Sequence, residues 1–325
     1  MTSSFPFAIK SDQEFEEAAL NLFQKQFQSN LVYREFCEHL NVNSKEVTSI
    51  QDIPFLPIQF FKTHQVKTGH FTPEVTFLSS GTTGQVQSQH QVKDLSLYEK
   101  SFTATFEHFY GSIEDFVVLG LLPSYLEREG SSLIYMVEDF IRKSNYKESG
   151  FYLNELDQLS EILIKLDESG HKILLIGVSF ALLDLVEKTS FQLKNTIVME
   201  TGGMKGRRKE MIRQELHDIL SKGFGVEDIH SEYGMTELLS QAYSKGQSKF
   251  ECPPHMKILI RDTEDPFQYL ENGKTGGINV IDLANIDSCP FIATQDLGKQ
   301  INSNEFEILG RFDQSDIRGC NLLVL

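Results

Sequence analysis

Residues 79–84 read Ser79-Ser80-Gly81-Thr82-Thr83-Gly84, directly after the β-branched, apolar run Val75–Leu78. Two glycines allow a tight turn with backbone N–H groups aimed inward, and four hydroxyls add donors, so the loop suits the wrapping of phosphate oxygens. It is not a P-loop: that motif needs a glycine five residues before Gly-Lys-Thr, and the run Gly273-Lys274-Thr275 has Gln268 there. Ser/Thr/Gly runs are also ordinary surface turns, so the weight falls on the loop's company.

That company comes in a definite order. Gly202-Gly203 follows the apolar run Thr196–Met199; Tyr233-Gly234-Met235-Thr236-Glu237, Thr294-Gln295-Asp296-Leu297-Gly298 and Gly310-Arg311-Phe312-Asp313 come after it. Activating a carboxylate with ATP requires a flat surface for adenine, groups for the ribose hydroxyls, a phosphate cradle and a magnesium ligand. These segments contain side chains of all four kinds.

The motifs and their order resemble the adenylate-forming superfamily of acyl-CoA synthetases, luciferases and nonribosomal peptide adenylation domains, from about residue 50 to the C-terminus. The phrase Asp52-Ile53-Pro54-Phe55-Leu56-Pro57 leading to Phe61-Lys62, and the ending Arg318-Gly319-Cys320, are most similar to LuxE-type acyl-protein synthetases. Phenylacetate-CoA ligases come next. The resemblance implies the large N-terminal domain of an adenylate-forming enzyme, α/β in class, with a helical front end, a parallel α/β core and a small β-rich subdomain. It also implies an AMP-forming acid–thiol ligase that uses ATP and Mg2+ and passes an acyl group from a carboxylic, fatty-type acid to a thiol. An acyl-group reductase or a carrier protein is the implied partner. Two other readings stay open: a ligase acting on coenzyme A or a carrier, and a non-catalytic nucleotide-binding subunit of a reductase complex.

The resemblance also implies roles that these side chains can perform. The hydroxyl loop would hold phosphates, Tyr233 would lie against the purine, and Gly202-Gly203 would let backbone approach its edge. Gly234 and Met235 belong to the same nucleotide-binding segment. Asp296 would accept the ribose hydroxyls, and the guanidinium fork of Arg311 would hold the ribose or the transferring phosphate. Thr236 would donate to the α-phosphate, and Glu237 would hold magnesium. Cys320 would take the acyl group, although a thiol of ordinary pKa about 8.5 needs a nearby cation to become nucleophilic. The alternative for Cys320 is packing with the apolar run Leu322–Leu325.

Departures from the superfamily pattern set further expectations. The lysine that many members place after the hydroxyl loop is absent from Gln85–His90, leaving Ser88 and His90 as stand-ins, against the plain reading of a solvated histidine. Gln295 replaces a glycine of the Thr-Gly-Asp motif. After Asp313 only a dozen residues remain, too few for a domain with its own core, so a C-terminal lid domain is expected to be absent.

Composition agrees with a cytoplasmic enzyme. A net charge of -16 argues against nucleic acid as a partner. Four cysteines without disulfide or zinc spacing fit a reducing compartment. The most apolar run, Phe116–Leu122, ends at Pro123, far short of the ~20 residues a membrane span needs, and the N-terminus lacks a signal-peptide pattern. The basic cluster Lys205, Arg207, Arg208 and Lys209 reads as a solvated face, or as a partner or cofactor phosphate site, opening a helix expected over 207–220. Val178, Phe180 and Met235 permit an apolar acyl pocket, and core packing explains them equally well.

The elements that must position these residues fall into zones. Helical spacing of Phe15, Ala18, Ala19, Phe23 and Phe27 gives a helical front over 1–73. Strand-like and helical runs alternate over 74–245, as in a parallel α/β core with ligands beyond the carboxyl ends of its strands. Both the hydroxyl loop and the Gly-Gly turn are expected at such ends. Residues 246–310 read as strands separated by turns, a β-rich subdomain presenting Asp296, with 311–325 a hinge-like tail.

Overall fold

The computed structural model describes residues 5–79, 86–123, 130–153, 155–202, 208 and 211–312. Among the expected site residues, Ser80–Gly84, Gly203 and Cys320 lie outside the described residues.

The chain opens with α1 (Asp12–Ser29) and α2 (Leu31–His39), joined at Asn30. The Ser11 hydroxyl caps α1 by accepting from Glu14 N, and the Asn30 side chain caps α2 by accepting from Tyr33 N at 3.1 Å. One stripe of α1, Phe15, Ala19, Leu22, Phe23 and Gln26, is buried, which is the apolar face its spacing dictates. Then come β1 (Leu56–Pro57), α3 (Phe60–Thr63), β2 (Val75–Leu78), β3 (Gln89–Val92) and α4 (Leu95–Tyr110).

Strands and helices then alternate: β4 (Val117–Leu121), α5 (Ser132–Lys143), β5 (Gly150–Phe151), α6 (Leu156–Glu168), β6 (Ile173–Val178), α7 (Ser179–Lys188), β7 (Thr196–Thr201), α8 (Arg213–Phe224) and β8 (His230–Tyr233). Strands β4 and β6 are buried at every position, as expected of parallel strands covered on both faces. The rest is β-structure: β9 (Ala242–Ser244), β10 (Phe250–Glu251), β11 (Met256–Arg261), β12 (Thr275–Asp282), β13 (Phe291–Gln300) and β14 (Glu305–Arg311). Here burial alternates, with Met256, Ile258 and Ile260 inward and Lys257, Leu259 and Arg261 less covered.

All these strands except β2 and β3 join one sheet in the order β11-β12-β13-β14-β10-β9-β8-β7-β6-β4-β5, with β1 added beside β13. Strands β8, β7, β6, β4 and β5 run parallel, and the direction reverses at β9. Two hydrophobic cores flank this sheet. The first gathers the parallel strands with α4 to α8; the second gathers α1, α2 and the antiparallel strands, including Phe23, Tyr33, Phe250, Phe291 and Phe306. The helical front is therefore packed on the strands that the sequence places last.

Two expectations are corrected. The strand that precedes the hydroxyl loop is not part of the parallel sheet: β2 and β3 form a separate antiparallel pair with Leu78 opposite Gln89. The link between them is too short for the crossover that parallel pairing needs. The helix expected over 207–220 begins at Arg213, after an extended Ile212, and runs to Phe224. A run of cations at a helix N-terminus opposes the macrodipole, whereas starting at Arg213 puts Glu215 in the first turn. Arg208 lies ahead of the helix, paired with Asp184 and with Glu187 at 2.5 Å on α7.

Candidate functional site

The long strand β13 pairs first with β1 and then with β14, with a register shift between Leu297 and Gly298. Asp296 sits where the partner changes, opposite Arg311 of β14. Its side chain is 10% exposed. Tyr233, at the end of β8, donates its hydroxyl to Asp296 Oδ2 at 2.8 Å, and Arg311 Nε stands 3.2 Å from Asp296 Oδ1. Three segments far apart in sequence thus meet at one carboxylate. The Tyr233 ring is held edge-on by Phe250 and Phe306, each with centroid 6.2 Å away, and burial together with the Asp296 charge pushes its phenol well up. Tyr233 and Asp296 are buried while the Arg311 side chain is 82% exposed, so the open side of the group is the arginine's.

Behind Asp296 stands Arg261. Its guanidinium donates to the carbonyls of Ile278 and Thr294 and to Asn279 Oδ1, tying β11, β12 and β13 together. Burial pulls it down to about 10, so it still carries its charge at neutral pH. The Thr294 hydroxyl accepts from Asp296 N at 3.1 Å and fixes the backbone at the carboxylate.

Past Tyr233 the chain leaves the sheet in a turn, Met235 O accepting from Leu238 N. Two buried side chains clamp that turn. His90 Nδ1 donates to Thr236 O at 2.8 Å, and Asn285 Nδ2 donates to Glu237 O at 2.8 Å. His90 Nε2 meets Asn285 Oδ1 at 3.0 Å, so both clamps are one unit. Asp282 accepts from Leu239 N, Ser240 N and the Ser240 hydroxyl, anchoring the next residues.

His90 is not solvated. It is 1% exposed, and burial pulls its pKa down to about 4 against the pull of its two oxygen partners. Its observed contacts are with Thr236 O and Asn285 Oδ1, two acceptor oxygens, rather than with solvent. Positive charge reaches Glu237 from Arg311 and Lys62. Glu237 is 5% exposed; burial raises the pKa of its carboxyl, and the Ser88 hydroxyl and the two cations oppose that rise.

The base of the hydroxyl loop is closed by Ser79. Its N–H donates to Ser88 O, its hydroxyl accepts from Ser88 N at 2.8 Å, and its carbonyl accepts from Gln87 Nε2. Ser88 therefore lies between the base of the loop and the Glu237 carboxyl, whose pKa it lowers. On the other side, β7 is followed by Gly202, whose φ of 71° is left-handed and suits glycine; its carbonyl accepts from the Ser179 hydroxyl. Val178 and Phe180 are buried in the first core, and Met235 packs on the second.

The clamps Asn285 and Asp282 and the brace Arg261 were not found by motif reasoning, and His90 was singled out without its hold on the Thr236 backbone. Polar side chains that serve backbone groups leave no spacing signal; the one hint is a charge ending an apolar run, as Asp282 ends Ile278–Ile281. Cys37, Cys252 and Cys289 have thiols pushed up by burial, Cys37 to about 12, so none of the three is a ready nucleophile. Among the described residues no group of three or more His, Cys, Asp or Glu side chains is arranged to hold a metal, and no helix is long and apolar enough to cross a membrane.

Similar folds occur in solved structures. ATP-bound MatB from Rhodopseudomonas palustris superposes with a TM-score of 0.54 at 16% identity, covering 74% of this chain and 49% of that one. 2-Hydroxyisobutyryl-CoA ligase in the postadenylation state with 2-HIB-AMP gives 0.69 at 12%, covering 93% and 68%. The same ligase with 2-HIB-AMP and CoA in the thioesterification state gives 0.66 at 12%, covering 95% and 70%. The chain spans about half the length of the MatB structures. These likenesses establish the fold, that of the large domain of adenylate-forming ligases. No curated protein matches the chain. The family model for acyl-protein synthetase, LuxE, matches residues 1–108 and 140–325, and with nine-tenths of its length so matched the chain belongs to that family.

Proposed function

We propose that the protein activates a carboxylic acid with ATP, forming an acyl-adenylate and pyrophosphate, and passes the acyl group to a thiol. The observation that carries this reading is the convergence of Tyr233, Asp296 and Arg311 on one carboxylate, beside Glu237 and the base of the hydroxyl loop. Asp296 retains lone pairs for the ribose hydroxyls, and Arg311, exposed and aimed by Asp296, is placed to meet a phosphate oxygen. Ser79–Gly84 surround the phosphates, Gly202-Gly203 and Gly234-Met235 border the base, and Thr236 donates to the α-phosphate.

Glu237 fits the magnesium role. It is one carboxylate beside a hydroxyl and a phosphate-binding loop, and magnesium takes one or two carboxylates and completes its shell with phosphate and water oxygens. When bound, the ion neutralises charge on the departing pyrophosphate. The chain's own part is to hold the Thr236–Glu237 backbone still, through His90 and Asn285, while charge shifts across it.

In the transfer step the acceptor sulfur attacks the acyl carbonyl, AMP leaves with the anhydride electrons, and the thiol proton goes to solvent. Cys320 is the proposed acceptor in the chain, an acyl-group reductase or carrier protein the partner, and a fatty acid the substrate. A second reading, an external thiol such as coenzyme A, is favoured by one observation: a solved structure of similar fold is a CoA ligase with CoA bound. The compartment proposed is the cytoplasm.

Carboxylate-dependent ATP/pyrophosphate exchange over a panel of acids tests the reading. Exchange with at least one acid supports it, and no exchange with any of them overturns it.

A further inference from the structure

Strand β1 runs parallel to β13, with Pro57 opposite Ala293, so the chain leaving β1 advances toward the end of β13 that carries Asp296. Ile58 N donates to Ala293 O at 3.0 Å, and the single turn α3 follows at once. Phe61 of that turn is buried and meets the His90 ring edge-on, with centroids 5.9 Å apart. His90 stands just past Ser88, which closes the base of the hydroxyl loop, and its Nδ1 contacts Thr236 O at 2.8 Å. The turn is thereby fixed beside both the base of the loop and the Thr236–Glu237 backbone.

Lys62 is the next residue. It is exposed, and its ammonium has no hydrogen bond or ion pair among the described residues. Its charge acts on the Glu237 carboxyl, where it joins that of Arg311. The two cations come from different elements: Arg311 is held by Asp296 on the β13–β14 ladder, whereas Lys62 comes from α3, beside the loop. Residues 79–89 contain no Lys or Arg, so the loop itself offers a polyphosphate neutral donors only. With a formal net charge of -16 the chain as a whole repels such a ligand, which leaves its charge to be balanced locally. A lysine ammonium is a compact charge with three donors on a flexible stem, suited to the oxygens of a terminal phosphate.

We propose that Lys62 binds the outer phosphates of ATP and holds the pyrophosphate as it leaves, supplying the charge that the hydroxyl loop lacks. This rests on the adenylation reading above and adds a residue to it. When a carboxylate oxygen of the acid bonds to the α-phosphorus, the bond from that phosphorus to the bridging oxygen breaks and its electron pair goes to pyrophosphate. The ammonium faces the group that gains this charge. Thr236 and Arg311 stay with the AMP portion, so Lys62 separates ATP and pyrophosphate from AMP.

The test is calorimetric binding of ATP and of AMP to the full chain with magnesium chloride present, together with the KM for pyrophosphate in carboxylate-dependent exchange. Lys62→Gln should weaken ATP binding and raise the KM for pyrophosphate by about tenfold each, as expected for the loss of one charge-assisted hydrogen bond, and leave AMP binding within about twofold. Lys62→Arg, which keeps the charge, should recover most of both losses. Lys67→Gln removes the same charge further along the chain, from an ammonium lying over the Phe71 ring, and should bind ATP as the parent does. Because Lys62 is exposed, its variants should melt with the parent. Parent-like ATP binding by Lys62→Gln, an equal loss for AMP, or the same loss in Lys67→Gln overturns the inference and leaves adenylation standing. A parent chain that binds neither ATP nor AMP overturns both.

Discussion

Asp296 and Arg311 face each other across the β13–β14 ladder with Arg311 Nε 3.2 Å from Asp296 Oδ1, while Tyr233 donates to the opposite oxygen. The carboxylate is thus aimed from two sides by groups that differ in exposure. Removing the tyrosine hydroxyl keeps the ring and its packing but frees one oxygen. Tyr233→Phe should raise the KM for ATP about tenfold, the value of one hydrogen bond to a charged group, with little change in melting temperature. An unchanged KM would separate Asp296 from nucleotide binding.

Glu237 is buried with its backbone carbonyl fixed by Asn285. Glu237→Ala should lower carboxylate-dependent exchange by at least about a hundredfold, as expected when charge stabilisation at the reacting phosphate is lost. The variant should retain its circular dichroism. Full exchange by a folded Glu237→Ala would remove the magnesium assignment.

His90 should act through position rather than charge. His90→Asn, which keeps one donor, should lower kcat by about tenfold while leaving the KM for ATP nearly unchanged, since the clamp holds backbone rather than nucleotide. His90→Lys should not restore activity, because its charge would be buried without a counter-ion. Recovery with lysine would mean that positive charge is what position 90 supplies.

The buried histidines should favour higher pH. Burial pulls His90 and His230 to about 4 and His255 to about 3, below the ordinary 6.5. The unfolded chain then binds more protons than the folded one between those values, so stability rises with pH across that window. Glu232 opposes this: burial raises it from 4.5 to about 7, so the stability it adds is present below 4.5 and is lost as pH rises to 7. Glu237 and Asp282, also raised by burial, act in the same sense as Glu232, so the histidine contribution is read by difference. The change in melting temperature from pH 4.5 to pH 6.5 should be less positive in His255→Asn than in the parent chain; identical profiles would contradict the burial of that ring.

Acyl label from ATP and a substrate acid should appear on the protein and disappear with Cys320→Ser. It should persist in Cys37→Ala, Cys252→Ala and Cys289→Ala, whose thiols burial keeps protonated. Label that survives Cys320→Ser would rule out self-acylation at that residue.

The alternation of strands and helices from Val117 to Tyr233 is legible in the sequence because parallel strands buried on both faces are continuous apolar runs and the helices between them carry stripes. The convergence of Tyr233, Asp296 and Arg311 is implied only by family resemblance, since no local pattern says that β8 and β13 meet. The hairpin of β2 and β3 is hidden because a strand's pairing is decided by the segment beyond the loop, not by the strand itself. His90 reads as solvated for a related reason: the oxygens it binds belong to residues 236 and 285, and nothing in its own polar neighbourhood announces them. Arg208 also reads as solvated, yet its partners Asp184 and Glu187 lie on α7, one turn apart.

Strand β1 lies parallel on β13, and Phe23 and Tyr33 of the front helices share a core with Phe291 at the start of that strand. A fragment cut to begin at Val75 would retain every nucleotide motif in its sequence yet strip the support from beneath Asp296. Truncation there yields no minimal catalytic module, only a sheet with one side of its interior open to water.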